Sequence, residues 1–204
     1  MPNKSLHTFL YGPMKRAVID WATRINIIQD FGLARMVEGT RSLENTQKIV
    51  GTVTRGYISP EYAMGGIFSE KSDVYSFGVL VLEIISSKKN TSFNLYDQQL
   101  GLLAYAWNLW NEGRGLDLVD ELLGDSYSSS EVMKCMHIGL LCVQDHTTDR
   151  PTMADIALML SSDIYGLKPK RHVFTIENSI YHLESHYENT YSSKNEASIT
   201  MIEG

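Results

Sequence analysis

The sequence predicts a mainly α-helical domain, and two patterns support that fold class. Asp20 precedes Trp21, Ile25 and Ile28, which have the i, i+4, i+7 spacing of one apolar helix face. Residues 73–86 are apolar nearly all round the helix, which is typical of a helix buried on most sides. Such a helix needs other elements around it, so we expect it at the centre of the domain.

Three further helices are predicted after the buried one, over residues 102–110, over 132–143 and from Pro151 to about Leu160. The last two are preceded by a hydroxyl residue with an acidic residue three positions later, the spacing of a capping box. These pairs are Ser128 with Glu131 and Thr152 with Asp155. Between the first helix and the buried one, residues 40–54 are rich in Ser, Thr and Asn and are predicted to form an exposed loop.

The composition predicts one soluble domain followed by a tail. The chain has 204 residues, 43% of them hydrophobic, and a net charge of −6. No basic stripe stands out, so a nucleic-acid partner is not expected. The longest strongly apolar stretch, residues 79–85, is interrupted by Glu83 and is too short for a membrane helix, so no membrane segment is expected either. Residues 1–162 are predicted to form the domain, and residues 163–204 a polar, disordered tail.

Both cysteines are predicted to be reduced. Cys135 and Cys142 lie seven positions apart on one predicted helix, which separates them by about 10.5 Å along its axis. A disulfide needs Cα atoms within about 7 Å, so the two cannot pair with each other. They are interpreted as core thiols of a cytoplasmic domain.

Short motifs follow one another in an informative order. Asp30-Phe31-Gly32 forms a D-F-G triplet, which alone is weak evidence because chance supplies it often. Ser59-Pro60-Glu61 then stands where an A-P-E motif would follow it, and Asp149-Arg150-Pro151 comes near the end of the domain.

In this order, together with residues 20–28, the motifs resemble those of plant receptor-like serine/threonine protein kinases, of the lectin-type S-receptor-like and cysteine-rich groups. The ending 195–204 resembles that of the lectin-type group. The resemblance implies a fragment of the large C-terminal lobe and a parent activity of ATP-dependent phosphorylation of protein Ser and Thr. It also implies ATP and magnesium as cofactors, with Asp30 as a magnesium ligand. The implied activation segment contains Thr46, Thr52, Thr54, Ser59, Pro60 and Glu61.

The catalytic parts of such a kinase are missing from the pattern. Five residues separate Arg24 from Asp30, an interval shorter than the catalytic-loop pattern H-R-D-x-x-x-x-N that would be required there. No G-x-G-x-x-G motif is present, and we expect no small β-rich lobe and no β3 lysine. We therefore predict that no catalytic site is intact, that the chain is inactive alone, and that it binds ATP and magnesium weakly or not at all.

Two interpretations of the D-F-G triplet remain open at this stage. Asp30 could be a vestigial magnesium ligand beside Phe31 and Gly32, or residues 28–35 could extend the preceding helix and leave Asp30 in solvent. Elsewhere the resemblance implies structural roles. Glu61 should form an ion pair with Arg150. Asp73, which in kinases binds the catalytic loop, should find another partner, cap its own helix near Ser72 or lie in solvent.

Three functional interpretations follow from this pattern. The first is an inactive lobe of the receptor-like kinase type, cytoplasmic as given although whole family members are plasma-membrane receptors. The second is a noncatalytic module that binds proteins such as intact receptor-like kinases or is phosphorylated by them. Its acceptor residues would be Thr40, Ser42, Thr46, Thr52 and Thr54. The third is an error of gene assembly at Gln29-Asp30, in which case the true product would be an active kinase.

Overall fold

The protein is mostly helical, as the sequence predicts. The computed structural model describes residues 5–12, 16–37, 44–45, 55–90, 101–162 and 168–170, all of which lie within one compact unit. The helices are α1 (Leu6–Tyr11), α2 (Trp21–Val37), α3 (Pro60–Gly65), α4 (Glu70–Ser86), α5 (Leu102–Asn111), α6 (Ser129–Cys142) and α7 (Met153–Ser161). Two short strands, β1 (Glu44–Asn45) and β2 (Ile67–Phe68), pair antiparallel, with Glu44 opposite Phe68.

Helix α4 lies at the centre of the fold, where its apolar circumference predicts it. It packs against α2, α5, α6 and the 3-10 turn Arg55–Tyr57. Its contact with α6 is close because two glycines face each other there. A Cβ on Gly78 would lie 2.5 Å from Cβ of Cys142 and 2.9 Å from the carbonyl oxygen of Gly139. Any side chain at Gly78 would therefore push the two helices apart.

The helix starts are capped mostly as the sequence predicts. The backbone N–H of Thr23 donates to Oδ1 of Asp20 over 2.9 Å at the start of α2. Thr152 and Asp155 form a reciprocal capping box before α7. The predicted box before α6 is wrong in one half. The Ser128 hydroxyl accepts from the Glu131 N–H, but the Glu131 carboxylate accepts instead from Nε1 of Trp21.

The two cysteines are free and buried on α6, as predicted. Burial raises the pKa of the Cys135 thiol to about 12, so this thiol is unreactive at neutral pH. No described helix is long and apolar enough to cross a membrane. The predicted tail, 163–204, lies outside the described residues except for 168–170. There the Lys170 N–H donates to Oε1 of Gln144 over 3.0 Å.

Candidate functional site

The D-F-G triplet lies inside a continuous helix. Helix α2 runs for 17 residues from Trp21 to Val37, so Asp30, Phe31 and Gly32 are interior helical residues. The sequence left two interpretations open, a vestigial magnesium ligand and an extension of the preceding helix. The structure shows the helical extension. Asp30 is exposed and Phe31 is 45% exposed, whereas Gly32 is buried.

The helix continues through the triplet because nothing before it stops the chain. Ile28, one turn before Gly32, is fully buried in the core and fixes this face of α2 inward. Helix propagation adds one hydrogen bond for each residue fixed, so a helix already nucleated at Trp21 extends easily. A single glycine disfavours a helix by only about 1 kcal/mol. Without a loop between Gln29 and Asp30, the triplet takes the conformation of its neighbours.

The residues around Asp30 do not fit a magnesium site. Magnesium prefers octahedral oxygen coordination and retains several waters, so it is held by one or two carboxylates together with substrate phosphates. In the part of the chain that the structure describes, no group of three or more His, Cys, Asp or Glu side chains is placed to hold a metal ion. Asp30 presents one carboxylate on an exposed helix face. We therefore derive no chemistry through a metal here.

The Ser59-Pro60-Glu61 motif lies at the start of α3 and is held by an ion pair. Pro60 begins α3 as its first residue and is buried, and Glu61 is in the first turn. The Arg150 guanidinium binds both carboxylate oxygens of Glu61, each over 2.9 Å. Its side chain is fully buried, and its guanidinium carbon lies 5.0 Å from the centre of the Tyr75 ring. The structure thus brings together the two residues that the family resemblance links.

Arg150 also holds the backbone around it. Its guanidinium donates to three carbonyl oxygens, those of Gln144 (2.7 Å), Lys71 (2.9 Å) and Asp145 (3.1 Å). Burial alone would raise the pKa of Glu61, but several hydrogen bonds, the strongest of them from Arg150, together outweigh burial and hold the pKa below its ordinary value. A buried arginine with this many partners is a structural centre, because every donor of the fork is directed at a fixed acceptor.

Helix α4 joins this centre through its first turn. The Ser72 hydroxyl donates to Oε1 of Glu61 over 2.9 Å, and Nζ of Lys71 donates to the carbonyl oxygens of Arg150 and Pro151. Asp73 lies in the same turn, is partly buried and takes part in an interaction of its own. The N-terminus of α4 is capped by Ser69 and Ser72, so Asp73 is not the capping residue.

A second buried ion-pair network was not predicted from the sequence. The Asp120 carboxylate accepts from Arg24 over 2.7 Å, with both side chains fully buried, and from Arg16 over 2.8 Å and 2.5 Å. Arg24 also donates to the carbonyl oxygen of Ile84 on α4. One signal was present in the sequence: Arg24 lies between Trp21 and Ile28 on the apolar face of α2, where an arginine needs a buried acceptor.

A third buried carboxylate, Glu83 on α4, was also missed. Its Oε2 accepts from the hydroxyls of Tyr11 and Tyr57, and its Oε1 accepts from the Asn90 N–H over 2.6 Å. Burial and the hydrogen bonds to Glu83 raise the pKa values of Tyr11 and Tyr57 well above the ordinary value of a tyrosine. Glu83 therefore ties α1 and the turn Arg55–Tyr57 to the central helix.

The predicted phosphoacceptors lie outside the described residues. This applies to Thr40, Ser42, Thr46, Thr52 and Thr54, whose roles stay predictions.

Comparison with known proteins places this lobe in a family. The sequence model of the protein tyrosine and serine/threonine kinases matches residues 16–160. The G-type lectin S-receptor-like serine/threonine-protein kinase SD1-13 of Arabidopsis thaliana is 38% identical over 244 positions, covering 100% of this chain and 29% of the relative. Cysteine-rich receptor-like protein kinase 10 of the same plant is 44% identical over 209 positions, covering 84% of this chain and 31% of the relative.

The chain thus spans less than a third of the length of these relatives. Because the alignment with SD1-13 has 244 positions and the chain 204 residues, about 40 positions of the alignment have no counterpart here. Among solved structures, the pseudokinase domain of BIR2, an immune regulator of the RLK/Pelle family, has a TM-score of 0.65 to this chain. It is 24% identical, over 79% of this chain and 57% of that one, which shows the fold alone. The chain belongs to the protein tyrosine and serine/threonine kinase family and has receptor-like serine/threonine kinases as its relatives.

Proposed function

We propose that this chain is a noncatalytic module with a kinase-type large lobe, which binds proteins and does not transfer phosphate by itself. One observation carries the proposal: Asp30, Phe31 and Gly32 are interior residues of α2, and the chain passes from Gln29 to Asp30 without any segment that could carry a catalytic base.

The missing parts are those on which phosphoryl transfer depends. The reaction is catalysed mostly by positioning and by electrostatic stabilisation of the phosphates, with an aspartate accepting the substrate proton. Loss of a general base costs about 10²- to 10⁴-fold in rate. Loss of substrate positioning costs up to about 7–11 kcal/mol more. These losses together support an inactive chain. The single exposed carboxylate of Asp30 supports weak or no binding of magnesium and, with it, of ATP.

A phosphotransfer assay tests this proposal directly. The full chain, of verified mass, is incubated with γ-labelled ATP, Mg²⁺ and a generic protein substrate, beside the intact kinase domain of a receptor-like relative. We expect transfer by the relative and none by this chain. The variants are Asp30→Ala and, as a matched surface control, Asp125→Ala. Transfer that disappears in Asp30→Ala and persists in Asp125→Ala would refute the proposal.

Protein binding is the function that we propose in place of catalysis. Supporting it, the centre of Glu61 and Arg150 is fully formed, so the lobe presents a stable surface around α3. The proposed partners are intact receptor-like kinases, and the proposed compartment is the cytoplasm, which the free thiols of Cys135 and Cys142 support.

Phosphorylation by such a partner is the second candidate, favoured by the density of hydroxyl residues in 40–54. The chain is incubated with an active kinase domain of a receptor-like relative, and the phosphosites are mapped by mass spectrometry. We expect modification at one or more of Thr40, Ser42, Thr46, Thr52 and Thr54, and its loss when all five are changed to alanine. An unmodified loop would count against this candidate.

The alternative of an assembly error concerns the gene and not the lobe. Sequencing of the transcript across the codons for Gln29 and Asp30 decides it. A transcript with additional coding sequence at this junction would mean that an intact kinase is the natural product, whereas a direct junction supports the noncatalytic module.

A further inference from the structure

We infer that Gly32, the last residue of the D-F-G triplet, is a helix-packing residue that allows α2 to lie against α7 and α4. Gly32 is buried in the interior of α2. A Cβ built on it would lie 3.1 Å from Cδ1 of Leu160 on α7 and 3.8 Å from the ring carbon Cζ of Phe77 on α4. The first distance is tighter than nine in ten contacts of real Cβ atoms, so the absence of a side chain at this position lets the helices approach.

The side chains of the triplet are not oriented to bind magnesium and a nucleotide. Successive residues of an α-helix point about 100° apart, so the three residues cannot share one face. Here the glycine faces the core, while the side chains of Asp30 and Phe31 are exposed. In kinases the aspartate holds magnesium and the packing of the phenylalanine distinguishes active from inactive states. In this chain both side chains are exposed on a helix, so Asp30 does not hold magnesium and Phe31 does not pack as it does in kinases.

This role goes beyond the proposed absence of phosphoryl transfer. It assigns Gly32 a structural task, the contact of three helices, and it implies that the lobe folds identically with and without Mg²⁺ and ATP. A conformational change of this segment on nucleotide binding would require that α2 break between Gln29 and Leu33 and that Gly32 leave Leu160.

Paired leucine substitutions in the full chain test the contact. In Gly32→Leu the new side chain must displace Leu160, so we expect the melting temperature, followed by circular dichroism, to fall by roughly 5 °C or more. Asp30→Leu adds the same side chain on the exposed face of the same helix and should shift it by less than about 2 °C. Equal shifts in the two variants would overturn the inference.

A double variant tests whether the two side chains compete for one space. Leu160→Ala removes the side chain that Gly32 contacts, so Gly32→Leu should cost less in this background than in the wild type. A loss smaller than the sum of the two single losses supports the contact. Strictly additive losses would overturn it.

Hydrogen exchange on the unmodified chain tests the helix even where a variant does not fold. In a continuous helix the amides of residues 30–33 have backbone acceptors, so they should exchange about as slowly as those of residues 25–28. Exchange of 30–33 at rates typical of an exposed loop would overturn the inference. Saturating Mg²⁺ and ATP should leave both the exchange rates and the melting temperature unchanged. A stabilisation by Mg²⁺ and ATP that is lost in Asp30→Ala would overturn this inference while leaving the proposed absence of phosphoryl transfer intact.

Discussion

The D-F-G segment of α2 and the centre built on Glu61 and Arg150 lie in the same lobe, yet only the second has the contacts that its motif implies. Glu61 and Arg150 are 89 positions apart and form a bidentate ion pair in which Arg150 is fully buried and Glu61 is partly buried. Asp30 and Phe31 match the residue types of their motif, but their side chains are exposed on a helix. The ion pair needs only the two segments that carry Glu61 and Arg150, and both are present. The triplet needs a catalytic loop before it, and the sequence does not contain that loop.

The comparison shows what a short motif depends on. The conformation of Asp30-Phe31-Gly32 is set by the residues joined to it, because helix formation is cooperative and α2 is already anchored by Trp21, Arg24 and Ile28. The conformation at Glu61 is set by partners distant in sequence, which the fold still supplies. A motif therefore predicts chemistry only when its neighbours in space are present as well.

Removal of Arg150 should have the largest effect, because it breaks the region that is intact. Arg150→Ala leaves the partly buried Glu61 carboxylate without its partner and frees three carbonyl oxygens that the guanidinium binds. We expect a loss of about 3–5 kcal/mol in the free energy of unfolding, measured by urea denaturation. As the control, Arg114→Ala removes an arginine that forms its ion pairs on the surface, with Glu112 and Asp117. It should have little effect, and comparable losses would contradict a special role for Arg150.

The second prediction compares the stabilisation by the buried ion pair of Arg24 and Asp120, which belongs to no family motif, with that by Glu61 and Arg150. Asp120→Asn leaves the fully buried Arg24 without its countercharge but keeps hydrogen-bonding atoms in place, so we expect a loss of about 2–3 kcal/mol. Burial raises the pKa of Asp120, but hydrogen bonds from Arg16, Ser87 and Arg24 lower it more, to about 2.

The acid range provides the sharper test of Asp120. Because its folded pKa lies below the ordinary value of 3.8, its stabilisation is present above about pH 4 and is lost as the pH falls towards 2. The wild type should lose stability in this window, and Asp120→Asn should lose less. Parallel curves of unfolding free energy against pH for the two proteins would contradict the assignment.

The sequence predicted the helices better than the buried charges. Periodicity and caps located α2, α4, α5, α6 and α7 because those signals are local. The pairing of Arg24 with Asp120 joins residues 96 positions apart and has no local signal beyond an arginine on an apolar face. The D-F-G triplet stayed ambiguous because the helix propensity of the residues after Gly32 and the glycine itself point in opposite directions. Propagation of the helix from Trp21 outweighs the cost of the single glycine.

A smaller effect is expected at Glu83, which ties the turn before α3 to the central helix. Tyr57→Phe removes one of three donors to this carboxylate and should cost about 1–2 kcal/mol. Burial and the hydrogen bond to Glu83 raise the pKa of Tyr57, so its contribution is present below about pH 10 and falls at higher pH. Tyr127→Phe, which keeps its ring contact with Trp21, is the matched control. Urea midpoints at pH 7 and pH 11 measure both effects, and a difference between wild type and Tyr57→Phe that does not narrow at pH 11 would contradict the assignment.

The smallest effect should be at Asp30, and this is the prediction that separates the two regions most clearly. Asp30→Ala removes an exposed carboxylate from a helix interior, so the free energy of unfolding should change by less than about 0.5 kcal/mol. The melting temperature should be the same with and without Mg²⁺, in the wild type and in the variant. If Asp30→Ala were as damaging as Arg150→Ala, or if Mg²⁺ stabilised only the wild type, then the triplet would still hold the contacts of its motif. The contrast between the two regions rests on Asp30 being dispensable to the fold, while Gly32, two residues later, is not.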